Sequence, residues 1–178
     1  MATINTPHQY IGAFNAFTNS ELKLIETILY KMAPIDTCPL SLDVEHSMSN
    51  DEKTRIYERF LSVECIDKNR FLFSQILHNY LKDIERLGLD DNHLIADGCK
   101  GFLWKKGTER VPDDKQHRID ALLRHLRNSI AHGRVAKIEG YLLFEDWGGK
   151  GLSARILITV SSLKRLIQLI EDSCSHPY

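Results

Sequence analysis

Apolar residues recur at helical spacing along much of this chain, and the places where that spacing breaks mark its elements. Leu22, Ile25, Leu29 and Met32 follow Thr18-Asn19-Ser20-Glu21, where Thr and a Glu three residues on form a capping-box pattern. A helix is predicted there, stopped by Pro34. Residues 33–48 hold two prolines and little periodicity, which predicts a loop of extended character. Ser49 or Asn50 then caps a helix with Asp51 and Glu52 in its first turn and Ile56, Phe60 and Val63 on its buried side. A further helix is expected from about Asp67 to Leu87, closed by Gly88, and a short irregular helix over 90–106, anchored by Trp104.

Pro112 and Asp113 begin the strongest helical pattern, which runs to Ala131 and ends at Gly133. Beyond it the period changes. Arg134–Ile138 and Tyr141–Asp146, joined at Glu139-Gly140, read as a hairpin. Ala154–Val160 reads as a third strand by its β-branched content, and Ser161 as the cap of a last helix with Leu163, Leu166, Ile167 and Ile170 inward. The whole pattern predicts a single domain over residues 1–178: a mainly α-helical bundle with a small antiparallel β-sheet inserted before the C-terminal helix.

On the helix over 113–131, at about 100° per residue, Ile119, Leu122, Leu123, Leu126 and Ile130 fall in one arc, the core stripe. Arg124, Asn128 and His132, each four apart, line up roughly opposite, with Arg127 on the flank. A face opposite the core is ordinarily solvated, and basic side chains near a helix C-terminus complement its dipole. Three features point further. Ala121, Ser129 and Ala131 are small enough for close contact with another surface; Asn128 is a poor helix former inside the helix; and the stop at Gly133 leaves His132 at an accessible edge.

Composition narrows the field. With 178 residues, 43% of them hydrophobic, the chain can bury one sizeable core, and a formal charge of −1 means that any nucleic-acid contact must come from a local patch. Cys38, Cys65, Cys99 and Cys174 are scattered, without a CxxC pair or zinc-ligand spacing, so free thiols in a reducing cytoplasm are expected, with no metal and no cofactor. The N-terminal segment has no secretory pattern and no apolar run is long enough to span a bilayer, so no membrane association is expected.

The string Arg127-Asn128-Ser129-Ile130-Ala131-His132 resembles the signature of the HEPN superfamily (higher eukaryotes and prokaryotes nucleotide-binding): an arginine, a polar residue just after it, and a histidine a few residues on. The loose arginine–histidine spacing also occurs at Arg86 and His93, Arg110 and His117, and Arg118 and His125, but only Arg127 and His132 combine the polar residue with the end of the strongest helix. The longer run LRNSIAHGRV is more specific, as are the hairpin bearing Phe144-Glu145-Asp146, the third strand and the terminal helix; the likeness is to bacterial and plasmid-borne members, firm over 113–172 and architectural before that. It implies a homodimer formed through the motif-helix face and metal-independent endoribonuclease activity on single-stranded RNA, of the toxin or phage-defence kind.

The residues suit such chemistry. RNA carries its own nucleophile, the 2′-hydroxyl; cleavage needs a base for its proton, a cation for the phosphorane-like charge and an acid for the leaving 5′-oxygen. His132 is the candidate base or acid. Arg127 would grip the phosphate, and Asn128 would orient His132 or a phosphate oxygen. Arg124, Arg134 and Lys137 are candidate RNA contacts, and Trp104 and Trp147, with Lys105 and Lys106, a candidate base-stacking platform, though core or interface packing is the commoner role of such aromatics. His93, His117 and His125 read as surface histidines, and Glu145 and Asp146 as solvated acids at a hairpin end. Arg127 and His132, five apart, diverge by about 140° on an ideal helix, which favours a site assembled across the dimer. The competing readings are a catalytically silent module that binds RNA, a nucleotide or a partner protein such as a minimal nucleotidyltransferase antitoxin, and a helical dimer with no site.

Overall fold

Thr18 opens the first helix as its sequence predicts. In the computed structural model, which describes residues 17–32, 48–66, 71–72, 98, 100–105, 118–138, 140–148 and 151–174, the Glu21 amide donates to Thr18 Oγ1 (3.3 Å) and the Thr18 amide to Glu21 Oε2 (2.7 Å). Two orphan amides of α1 (Asn19–Thr27) are thereby satisfied. The chain continues through a wider π-helical turn over Ile28–Met32. Ser49, of the two candidate caps, opens α2 (Asn50–Val63) with the same reciprocal pair to Glu52. Ile56 and Phe60 are buried there as expected, but Val63 is 48% exposed. Just past it the helix closes: Cys65 takes a left-handed φ of 54°, the Ile66 amide donates to the Leu61 carbonyl (2.9 Å), and Ile66 takes the buried place instead.

The motif helix α3 (Arg118–Ala131) lies at the centre of the fold. Ile119, Leu122, Leu123, Leu126 and Ile130 are all buried, as the helical wheel predicts. They meet the π turn and α2 on one side and the sheet on the other. Lys53 of α2 is buried against Asp120 of α3 (2.9 Å), and the Arg118 guanidinium stands over the Tyr57 ring, 5.4 Å from its centroid.

The sheet is larger than the pattern predicts. β1 (Phe71–Leu72), β2 (Gly101–Lys105), β3 (Val135–Ile138), β4 (Tyr141–Gly148) and β5 (Gly151–Thr159) run in the order β1-β2-β5-β4-β3, antiparallel except for the β1–β2 pair. The hairpin and third strand are present as β3, β4 and β5. Phe71-Leu72 and Gly101–Lys105 are strands where the pattern predicts helices, and Gly98 and Lys100 lie in a turn and a bend; the rest of both expected helices, and residues 112–117 before α3, lie outside the described residues. Leu103 pairs with Ile156 and Trp104 with Arg155, so the β-rich run of β5 draws the 101–105 segment into the sheet and overrides its local signal. One sheet face, with Leu142, Phe144, Ile156 and Ile158, joins the core beside α3. The final helix α4 (Val160–Cys174) buries Leu163, Leu166, Ile167 and Ile170; its cap is Thr159 rather than Ser161, since the Ser162 amide donates to Thr159 Oγ1 (3.1 Å). The described part is thus mainly helical, with a mostly antiparallel sheet ahead of the last helix. No described helix is long and apolar enough to cross a membrane.

Candidate functional site

α3 ends in a closed turn. The His132 amide still donates to the Asn128 carbonyl (3.1 Å), the Gly133 amide to Ile130 (3.0 Å) and the Arg134 amide to Ser129 (2.7 Å), with Gly133 at φ +64°. This double bridge is a Schellman closure, and it leaves His132 as the exposed last residue of the helical turn. The turn does not unwind, so Arg127 and His132 keep the divergence that their spacing predicts. Neither side chain has a hydrogen bond or ion pair among the described residues. The Arg127 guanidinium is half-buried, and its Nε is buried with no acceptor. Arg124 is exposed one turn earlier.

The other expected RNA contacts are differently placed. Arg134 Nη1 donates to the Trp147 carbonyl (3.0 Å), and Lys137 pairs with Glu21 at the start of α1 (2.9 Å). Trp147 is half-buried with its indole Nε1 donating to Glu145 (3.1 Å), so its ring is tied to the sheet rather than presented for stacking. Trp104 and Lys105 sit on β2, and Lys106 lies outside the described residues.

The sharpest departure concerns three residues that read as solvated. Glu145 and Asp146 do not end a hairpin in water: they lie within β4, 0% and 8% exposed. Glu145 forms a buried ion pair with Arg155, its cross-strand neighbour on β5. Asp146 faces α3, where its Oδ2 meets His125 Nδ1 at 2.7 Å and accepts from Asn128 Nδ2 at 3.2 Å. His125 is accordingly 5% exposed, far from a surface histidine. Burial raises the Asp146 pKa, but the hydrogen bonds from His125 and Asn128 and the charges of His125 and Arg124 outweigh it and hold the carboxyl below the usual aspartate range. Asp146 is therefore an ionised acceptor at neutral pH. Asn128, expected to orient His132 or a phosphate oxygen, is instead held by this carboxylate.

No family model, curated protein or solved structure matches the chain. What the end of α3 can do therefore rests on its own chemistry.

Two signals for the missed residues were present in the sequence. Ala121, His125 and Ser129 are each four apart, a second stripe beside the core arc, and all three are buried in the chain's own fold, His125 against Asp146 of β4. Tyr141-Leu142-Leu143-Phe144 is a continuous apolar run, the mark of a strand covered on both faces, and the two acids that follow inherit that burial.

Proposed function

We propose that the chain is a homodimeric endoribonuclease that cleaves single-stranded RNA through attack of the 2′-hydroxyl, with Arg127 and His132 of opposite subunits completing each site. The observation that carries the reading is Arg127. A guanidinium with a buried Nε and no acceptor among the described residues bears a desolvation cost that a phosphate would relieve, while neighbouring Arg134 and Lys137 are already engaged. Its planar fork suits the non-bridging oxygens as charge develops on phosphorus. His132, exposed and without a side-chain partner among the described residues, is placed to take the 2′-hydroxyl proton or deliver one to the 5′-oxygen. The products are a 2′,3′-cyclic phosphate and a 5′-hydroxyl. The resemblance to HEPN nucleases supports the same assignment, and a toxin or defence role follows from that resemblance.

The test is cleavage of 5′-labelled single-stranded RNA in EDTA by wild type, Arg127→Ala and His132→Ala. Wild type is expected to leave cyclic-phosphate ends, and each variant to lose at least about a hundredfold in rate. Equal activity in all three, or inert wild type, refutes the reading. One observation favours a second: α3 keeps its last turn, so a chain that never dimerises cannot bring Arg127 and His132 together. Such a chain would serve as a binding module for RNA, a nucleotide or a partner protein such as a minimal nucleotidyltransferase antitoxin.

A further inference from the structure

An amide side chain can present either its oxygen or its nitrogen outward, and its neighbours decide which. Asn128 lies 3.2 Å from Asp146 Oδ2, and an ionised carboxylate only accepts hydrogen bonds. Asp146 is fixed in turn by the 2.7 Å contact to His125 on the same helix and by the β4–β5 ladder, where it stands opposite Ala154. The Asn128 nitrogen must then point inward, toward β4. Its Oδ1 has no hydrogen-bond partner among the described residues and is absent from their buried, unsatisfied atoms, so it is open to solvent.

The geometry points to Asp146 as a positioning residue that turns the Asn128 carbonyl outward as an acceptor for the 2′-hydroxyl of the bound ribose. The alternative ligand for Asn128, a phosphate oxygen, needs an N–H, and one of the two Nδ2 hydrogens is already committed to Asp146 on the inward side of the group. An outward carbonyl would repel a phosphate while accepting from the 2′-hydroxyl, the one sugar group that separates RNA from DNA. Arg127, a cation at the same helix end without an acceptor among the described residues, is left to take the phosphate. The positions suit this division, since Arg127 and Asn128 are adjacent in the chain and about 100° apart around α3. The inference rests on the ribonuclease reading and assigns the donor and acceptor roles within that site.

The experiment compares binding of a short single-stranded RNA with that of the same sequence carrying 2′-fluoro in place of every 2′-hydroxyl, which removes the donor with little change in size. It is run in EDTA in the full-length His132→Ala protein, so that the RNA stays intact. That parent is expected to prefer ribose by about five- to tenfold, the value of one hydrogen bond. Adding Asp146→Asn, whose amide no longer dictates the Asn128 orientation, should collapse the preference toward unity while leaving affinity for the 2′-fluoro strand nearly unchanged. A merely structural role would weaken both strands together. Adding Asn128→Ala instead, which leaves Asp146 its contact to His125, should abolish the preference without touching the buried carboxylate, and it serves if the Asp146 variant fails to fold. A preference that survives Asn128→Ala, or survives Asp146→Asn in a folded protein, overturns the inference while the ribonuclease reading stands. A parent that binds neither strand, together with inert wild type, overturns both.

Discussion

At the scale of single residues, Asp146 carries the most consequence. Its folded-state pKa lies below the ordinary value, so its ionised form stabilises the fold. That contribution is present in full above the unfolded aspartate pKa of about 4 and disappears as the pH falls through the lower folded value. Asp146→Asn should therefore cost about 1–2 kcal/mol at neutral pH, with the gap to wild type narrowing below about pH 4. Urea unfolding of both proteins at a series of pH values measures this, and a gap that stays constant with pH would exclude the ionised carboxylate as its source. Reading this residue from sequence failed for a physical reason. The apolar run before it marks β4 as covered, but the partners that bury Asp146 itself, α3 on one face and β5 alongside, lie outside that run. Arg124 and His132 were legible because their exposure follows from the helix period alone.

At the scale of elements, two helices end in the same way with different residues. α3 closes on Gly133 at φ +64° and α2 on Cys65 at φ 54°. A Cβ at position 133 would meet nothing within 4 Å, so Gly133→Ala costs only backbone strain, about 1 kcal/mol. Cys65 already bears that strain and its side chain is exposed, so Cys65→Gly should stabilise by a similar amount, about 0.5–1 kcal/mol. The two substitutions are thus expected to shift the thermal midpoint in opposite directions; shifts of the same sign would show that the closures are not equivalent. The Thr18 and Ser49 caps, the core stripe of α3 and the β3–β4 hairpin were all legible, since each is written within a few residues. The strand at Gly101–Lys105 was not, because what makes it a strand is its partner, β5, some fifty residues away. Val63 failed for a smaller reason of the same kind: the left-handed turn at Cys65 redirects the chain, and Ile66 enters the core in its place.

At the scale of the whole molecule, the proposed ribonuclease requires Arg127 and His132 to meet. Within one chain they sit five residues apart on a helix whose last turn is closed by three backbone hydrogen bonds, so bringing them onto one phosphate in the same subunit would mean breaking that closure. In the proposed homodimer, a two-fold axis beside the end of α3 would avoid that cost, setting Arg127 of one subunit against the histidine of the other, twice. This arrangement makes a prediction that no single-chain site shares. On that proposal, Arg127→Ala and His132→Ala would each remove one half of both sites in their own homodimers, so each should be inactive alone. Mixed and allowed to exchange, they form heterodimers in which one site lacks both groups and the other retains both. Equal amounts should recover about a quarter of wild-type activity, half the dimers being mixed and each holding one intact site. Activity should appear with the rate of subunit exchange rather than at once, because the intact site forms only when unlike chains associate. A mixture that stays inert after exchange has been demonstrated by mass would place both residues in one subunit, and would require α3 to open its last turn before it could act.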